Sequence, residues 1–152
     1  AHKASREAHV VAEVIAEHKS SFDNRAIPAV VFTNPEIAWS GLTEREAEEK
    51  GIKVNVGRFP LSALGRAQAL GRPEGMVKII SDPDSGLVRG VGMVGYNASE
   101  LIAEGTLAIE MGATLEDLIV TIHPHPTLSE AIMEAAEVAA GEPVHIFPPK
   151  RR

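Results

Sequence analysis

The turn Asp82-Pro83-Asp84-Ser85-Gly86 lies between two β-prone runs, and it constrains the fold more than any other feature of the sequence. Pro, Asp and Gly each favour tight reversal geometry, for different steric and hydrogen-bonding reasons. The flanking runs Met76–Ser81 and Leu87–Tyr96 are therefore expected to pair as an antiparallel hairpin. Gly90, Gly92 and Gly95 weaken the second run as a free-standing strand, so they are read as places where another backbone packs close.

The rest of the chain is arranged around that hairpin. Ala29–Phe32 and Ile37–Trp39 read as short strands separated by the turn residues Thr33-Asn34-Pro35-Glu36. Lys53–Phe59 reads as another strand, joined to Met76 through a loop over Leu61–Gly75. Thr43 with Glu46 three residues on spells a capping box for a short helix that Gly51 stops. Three helices are expected after the hairpin: Ala98–Met111, Thr114–Val120, and Thr127–Ala140, which ends at Gly141-Glu142-Pro143. In the first of these, Leu101, Ile102, Gly105, Ala108 and Ile109 share a face, while Ala103 and Leu107 lie opposite. That helix needs two partners, either within the fold or in a second subunit. Strands followed by helices imply an α+β fold, with an antiparallel sheet and its helices packed on one face.

Ahead of the strands, Ala8, Val11, Val14 and Ile15 recur at helical spacing, and Ser20–Arg25 reads as a linker. The chain opens in mid-helix with neither Met nor a capping residue, as a piece of a longer chain would. Residues 1–25 are accordingly read as a remnant helix and linker, 26–147 as the main domain and 148–152 as a tail.

A chain of 152 residues with 44% hydrophobic content can bury a real core, but aromatics at 4% leave it to Val, Ile, Leu and Ala. It has no cysteine, which excludes disulfides, thiolate metal sites and a cysteine nucleophile within these residues and fits a reducing, cytoplasmic location. The net charge of −6 argues against nucleic acid and anionic membrane as partners. No apolar run reaches the roughly 20 residues that cross a bilayer. His9 and His18 read as exposed and Trp39 as core or interface packing. Arg58, Arg66, Arg72 and Lys78 are too dispersed to be more than a solvated surface.

The densest polar feature is His123-Pro124-His125-Pro126-Thr127-Leu128-Ser129-Glu130. If Thr127 caps the last helix, Glu130 sits one turn in and can reach His125. A carboxylate holding one ring nitrogen protonated leaves the other free to take a proton near neutral pH. Two other readings stand beside it. Thr127 and Glu130 can be a plain capping box, with Glu130, Glu134 and Glu137 on one solvated arc. His123 and His125 can be metal ligands, although no third ligand is in sight, and no metal is expected.

This run resembles the end signature of flavin-dependent pyridine nucleotide–disulfide oxidoreductases, and its Thr-Leu-Ser-Glu spelling is closest to the dihydrolipoamide dehydrogenase branch. Ala1-His2-Lys3-Ala4 resembles the start of that family's last flavin-domain helix. Pro28–Gly41, reading PAVVFTNPEIAWSG, resembles the entry into its interface domain. Tyr96-Asn97-Ala98-Ser99-Glu100-Leu101-Ile102 and Pro143-Val144-His145 follow in the family's order, so the resemblance covers nearly the whole chain.

The resemblance implies a homodimeric interface domain in which His125 is the acid–base catalyst and Glu130 orients it, both reaching the partner subunit's active site. There His125 would deprotonate dihydrolipoamide, whose electrons pass through FAD to NAD. Ala1 and His2 would touch FAD, and only in the full-length protein. The family's glycine-rich cofactor sites and paired cysteines are not in these residues, so no cofactor binding and no turnover are expected of this piece alone. An acyltransferase subunit-binding domain of 2-oxo acid dehydrogenase complexes is the implied docking partner. The alternatives are the same domain of a glutathione reductase-like enzyme and a dimerisation and docking module without catalysis.

Overall fold

The computed structural model describes residues 1–147; the tail expected at 148–152 lies outside the described residues. The chain folds into one five-stranded sheet with helices, in the order α1 (His2–Ile15), β1 (Ala29–Val31), β2 (Glu36–Gly41), α2 (Glu44–Glu49), β3 (Asn55–Pro60), α3 (Gly65–Ala69), β4 (Met76–Ser81), β5 (Val88–Gly95), α4 (Ala98–Met111), α5 (Leu115–Val120) and α6 (Glu130–Ala140). The sheet runs β1-β2-β5-β4-β3 with every neighbour antiparallel. This is the expected α+β class.

The hairpin forms as its turn dictates. Met76 faces Val94 and Lys78 faces Gly92, and the Asp82 carboxylate accepts from the backbone N–H of Ser85 at 2.9 Å and of Asp84 at 3.2 Å. Strand alternation then sorts side chains by face. Ala38, Phe59, Val77, Ile79, Val91 and Met93 point at the helices and are buried. α4 lies over β2 and β5, α6 lies over β3 and β4, and α5 packs on α6. α6 approaches β3 closely because its buried face is mostly small: Ala131, Ala135 and Ala136 beside Ile132. Gly57 of β3 lies beneath it, where a Cβ would meet the Ala135 carbonyl and sit 2.5 Å from the Ala139 nitrogen.

Both ends of α2 follow the spelling. Thr43 and Glu46 make the reciprocal capping box, and Gly51 follows the helix in the left-handed region at φ 63°. Thr114 and Asp117 form a second box at the start of α5.

Two expectations are corrected and two are refined. The supposed loop Leu61–Gly75 holds a 3-10 turn at Leu61–Ala63 and the helix α3, because Leu61, Leu64 and Ala67 recur at threefold spacing and all three are buried. Gly90 and Gly95 are crowded as expected, the first by the Leu42 backbone and the second by the Leu61 side chain and the Glu74 carbonyl, but Gly92 faces open space. Of the two readings of Trp39, core and interface packing, the core one falls: opposite Gly92 in the register, it stands on the sheet face that no helix covers and is more than a third exposed. On the expected solvated surface the cations find partners: Arg58 and Lys78 both pair with Glu44, and Arg72 pairs with Glu74 and stacks over Tyr96.

α4 is apolar on two sides and finds one partner. Ile102, Gly105, Ala108 and Ile109 are buried on the sheet, whereas Leu107 and Met111 are exposed. α1 buries no residue at all, so Val11, Val14 and Ile15 are uncovered too.

Candidate functional site

α5 ends at Val120, and nine residues run from there to α6. His125 and Glu130 meet across the end of this loop: Nδ1 lies 2.7 Å from Oε1. The ring side chain is 77% exposed and the carboxylate side chain 14%. A sheltered anion thus holds one nitrogen of a ring that otherwise faces outward.

Thr127 is not the helix cap that the spacing predicts. α6 begins at Glu130, with Ser129 before it making no side-chain cap bond. The Thr127 hydroxyl is turned back to donate to the Pro124 carbonyl at 2.8 Å, while its backbone N–H donates to Glu130 Oε2 at 2.6 Å. Glu130 therefore combines both roles weighed for it, with one oxygen on the imidazole and the other on a loop N–H. Burial alone would raise its carboxyl, but the Thr127 N–H and then His125 outweigh it and hold Glu130 below the ordinary carboxylate range. An ionised Glu130 only accepts, so Nδ1 is the nitrogen that carries the hydrogen in the neutral His125 ring, and in that tautomer Nε2 has the lone pair.

The arc Glu130, Glu134, Glu137 is not a solvated face. Glu134 is 4% exposed and its Oε1 binds His145 Nδ1 at 2.5 Å. The second oxygens of Glu134 and Glu137 are buried with no hydrogen-bond partner among the described residues. Spacing could place these side chains on one arc but not reveal that the C-terminal segment folds over it. Burial, and then the neighbouring Glu134, push the Glu137 carboxyl up. A group raised on folding stabilises below its unfolded value, here the ordinary 4.5, and loses that contribution as pH rises through the folded value. Glu137→Gln is therefore expected to raise the melting temperature at pH 7 by about 2–4 °C, and to raise it by nothing near pH 4. Thermal melts at the two pH values check the sign.

The other histidine of the loop lies inward. The His123 side chain is 5% exposed, with Nε2 2.8 Å from Glu104 on α4 and Nδ1 2.8 Å from the Thr121 carbonyl. Sequence reasoning missed this pair, since nothing in the spelling says which way each ring turns. The two loop histidines thus point apart, and among the described residues no cluster of three or more His, Cys, Asp or Glu is placed to hold a metal.

Ala1 and His2 are exposed at the start of α1, as are His9 and His18. Among the described residues no glycine-rich turn opens α1.

Comparison with known proteins identifies the family. Residues 27–136 match the family described as pyridine nucleotide-disulphide oxidoreductase, dimerisation domain. The chain is 56% identical over 145 residues to a dihydrolipoyl dehydrogenase of Halobacterium salinarum, covering 95% of this chain and 31% of that protein. It is 54% identical to one of Thermus scotoductus, covering 97% and 32%. The chain thus spans about a third of the length of the curated relatives it matches. Among solved structures it is similar to LpdA from Mycobacterium tuberculosis (TM-score 0.78, 30% identity, 84% of this chain and 28% of that one). It is also similar to RclA from Escherichia coli, an HOCl-induced flavoprotein disulfide reductase (TM-score 0.74, 25% identity, 82% and 29%).

Proposed function

Since the chain belongs to the dimerisation-domain family of the pyridine nucleotide-disulphide oxidoreductases, we propose that it is the interface unit of a dihydrolipoyl dehydrogenase, supplying a His–Glu acid–base pair to the partner subunit. The observation that carries this is the 2.7 Å contact between an outward imidazole and a sheltered carboxylate. Residues 26–147 are the interface unit, and 1–25, whose helix buries nothing here, belong against a neighbouring part of the polypeptide.

The chemistry of these residues is a proton transfer. Glu130 fixes the Nδ1–H tautomer of His125, Nε2 accepts the proton of a dithiol, and the resulting thiolate attacks a disulfide that this chain does not contain. The imidazolium left behind is stabilised by Glu130 and can return the proton to a leaving thiolate. FAD and NAD supply the onward oxidation when bound by the rest of the enzyme.

Dimerisation has its own support. Leu107 and Met111 on α4, with Val120 at the end of α5 and Ile122 beyond it, are exposed large apolar side chains, Ile122 at 95%. Burying them against a second copy gives α4 the second partner its pattern demands. Sedimentation of the 152-residue chain is expected to show a dimer that Leu107→Glu weakens by at least tenfold; a chain that stays monomeric at high concentration counts against the reading. Dihydrolipoamide as substrate rests on the relatives above 50% identity. Parallel assays of the complete polypeptide on dihydrolipoamide and on glutathione decide it, with strong preference for the first expected. The acyltransferase docking partner is part of the same proposal, and the acidic charge of the chain supports it.

A further inference from the structure

The histidines on either side of Pro124 differ in exposure, 5% for His123 and 77% for His125. The proposed reaction uses only the second. His123 holds two partners, the Thr121 carbonyl and the Glu104 carboxylate, each at 2.8 Å. A carbonyl oxygen has no hydrogen to give, and neither has an ionised carboxylate. A neutral imidazole carries one N–H and could satisfy only one of them. Beside an ionised Glu104, both bonds together require hydrogen on both nitrogens, which makes the ring a cation facing that carboxylate.

We propose that His123 is a positioning residue for the acid–base pair: a protonated imidazole tied to Glu104 that anchors the His125 loop to α4 and sets a positive charge behind Glu130. The inference rests on the function proposed above. Among the described residues, the loop's other side-chain hydrogen bonds are local. Thr121 Oγ1 donates to the Asp117 carbonyl, and Thr127 bonds Pro124, Ser129 and Glu130. The bond from His123 to Glu104 spans 19 residues and reaches a helix whose Ile102, Gly105, Ala108 and Ile109 are buried on the sheet. Without it the loop is fixed at its ends and free in the middle, where His125 sits. The charge acts in the same direction. Burial pushes the Glu130 carboxyl up, and His123 joins the Thr127 N–H and His125 in holding it down, which keeps Glu130 an acceptor for Nδ1.

Nitrogen NMR of the 152-residue chain with labelled histidine tests the ring directly, His123 being assigned by the signals that vanish in His123→Gln. Both ring nitrogens of His123 are expected to appear as N–H at pH 7; one bare nitrogen overturns the proposal. In the complete enzyme, Glu104→Gln keeps the shape but removes the charge that holds the second proton. It is expected to lower kcat for dithiol oxidation by about ten- to a hundredfold, the scale of a small misplacement of a catalytic group, with KM nearly unchanged. Glu104→Asp is expected to restore most of the rate. Wild-type kcat in Glu104→Gln overturns the positioning role. If His125→Ala also kept full turnover, the proposed function would fail instead, while the NMR of His123 would still decide the state of its ring.

Discussion

Replacing His125 with alanine in the complete enzyme is expected to lower kcat/KM for dihydrolipoamide by about 10²- to 10⁴-fold, the range a positioned general base contributes. Stability should hardly change. The ring is 77% exposed, so its removal opens no cavity and costs at most about 0.5 kcal/mol, as surface substitutions do. Steady-state rates and a thermal melt, measured on the same preparation, separate the two effects. A loss below tenfold with an intact fold would remove His125 from the proton transfer, whatever its contact with Glu130.

The largest structural effect is expected at the opposite face of α6. Gly57 faces Ile79 in the β3–β4 register, and the space above it is taken by the backbone of α6 at Ala135 and Ala139. Backbone atoms cannot turn aside as the end of a side chain can, so Gly57→Val must lift the helix from the sheet. Overpacking of this kind costs about 3 kcal/mol, or roughly 10 °C in the melt of a chain this size. The consequence reaches the site, because Glu130 is the first residue of the helix that moves. Urea or thermal unfolding of Gly57→Ala and Gly57→Val checks this; an alanine variant as stable as the parent would show that α6 does not need the glycine.

Local chemistry made much of this legible. Turn residues at Asp82–Gly86 determined the hairpin, and Thr43 with Glu46 marked where α2 begins. Thr114 with Asp117 carries the same signal with a shorter carboxylate, and only the structure brought it out. What escaped was whatever depends on elements distant in sequence. Glu134 reads as solvated from its periodicity, yet it is covered once residues 143–147 return over α6 and His145 binds it. At the site, the reach from Glu130 to His125 was foreseen through a cap at Thr127 that does not form. The contact survives because the Thr127 N–H takes over the work of aiming the carboxylate.

The two outer strands of the sheet bear on how copies of this chain can associate. β1 is three residues long, with Pro28 just before it and Pro35 in the turn beyond, and β3 ends in Pro60 after an Arg58 already engaged by Glu44. Proline offers no N–H for a further ladder, and short or charged rims discourage templated growth. Neither margin can readily recruit a foreign strand, so the sheet is closed to lengthening and to amyloid-like stacking from its sides. Association is left to the faces of the fold, among them the helical layer, where Leu107 and Met111 stand uncovered.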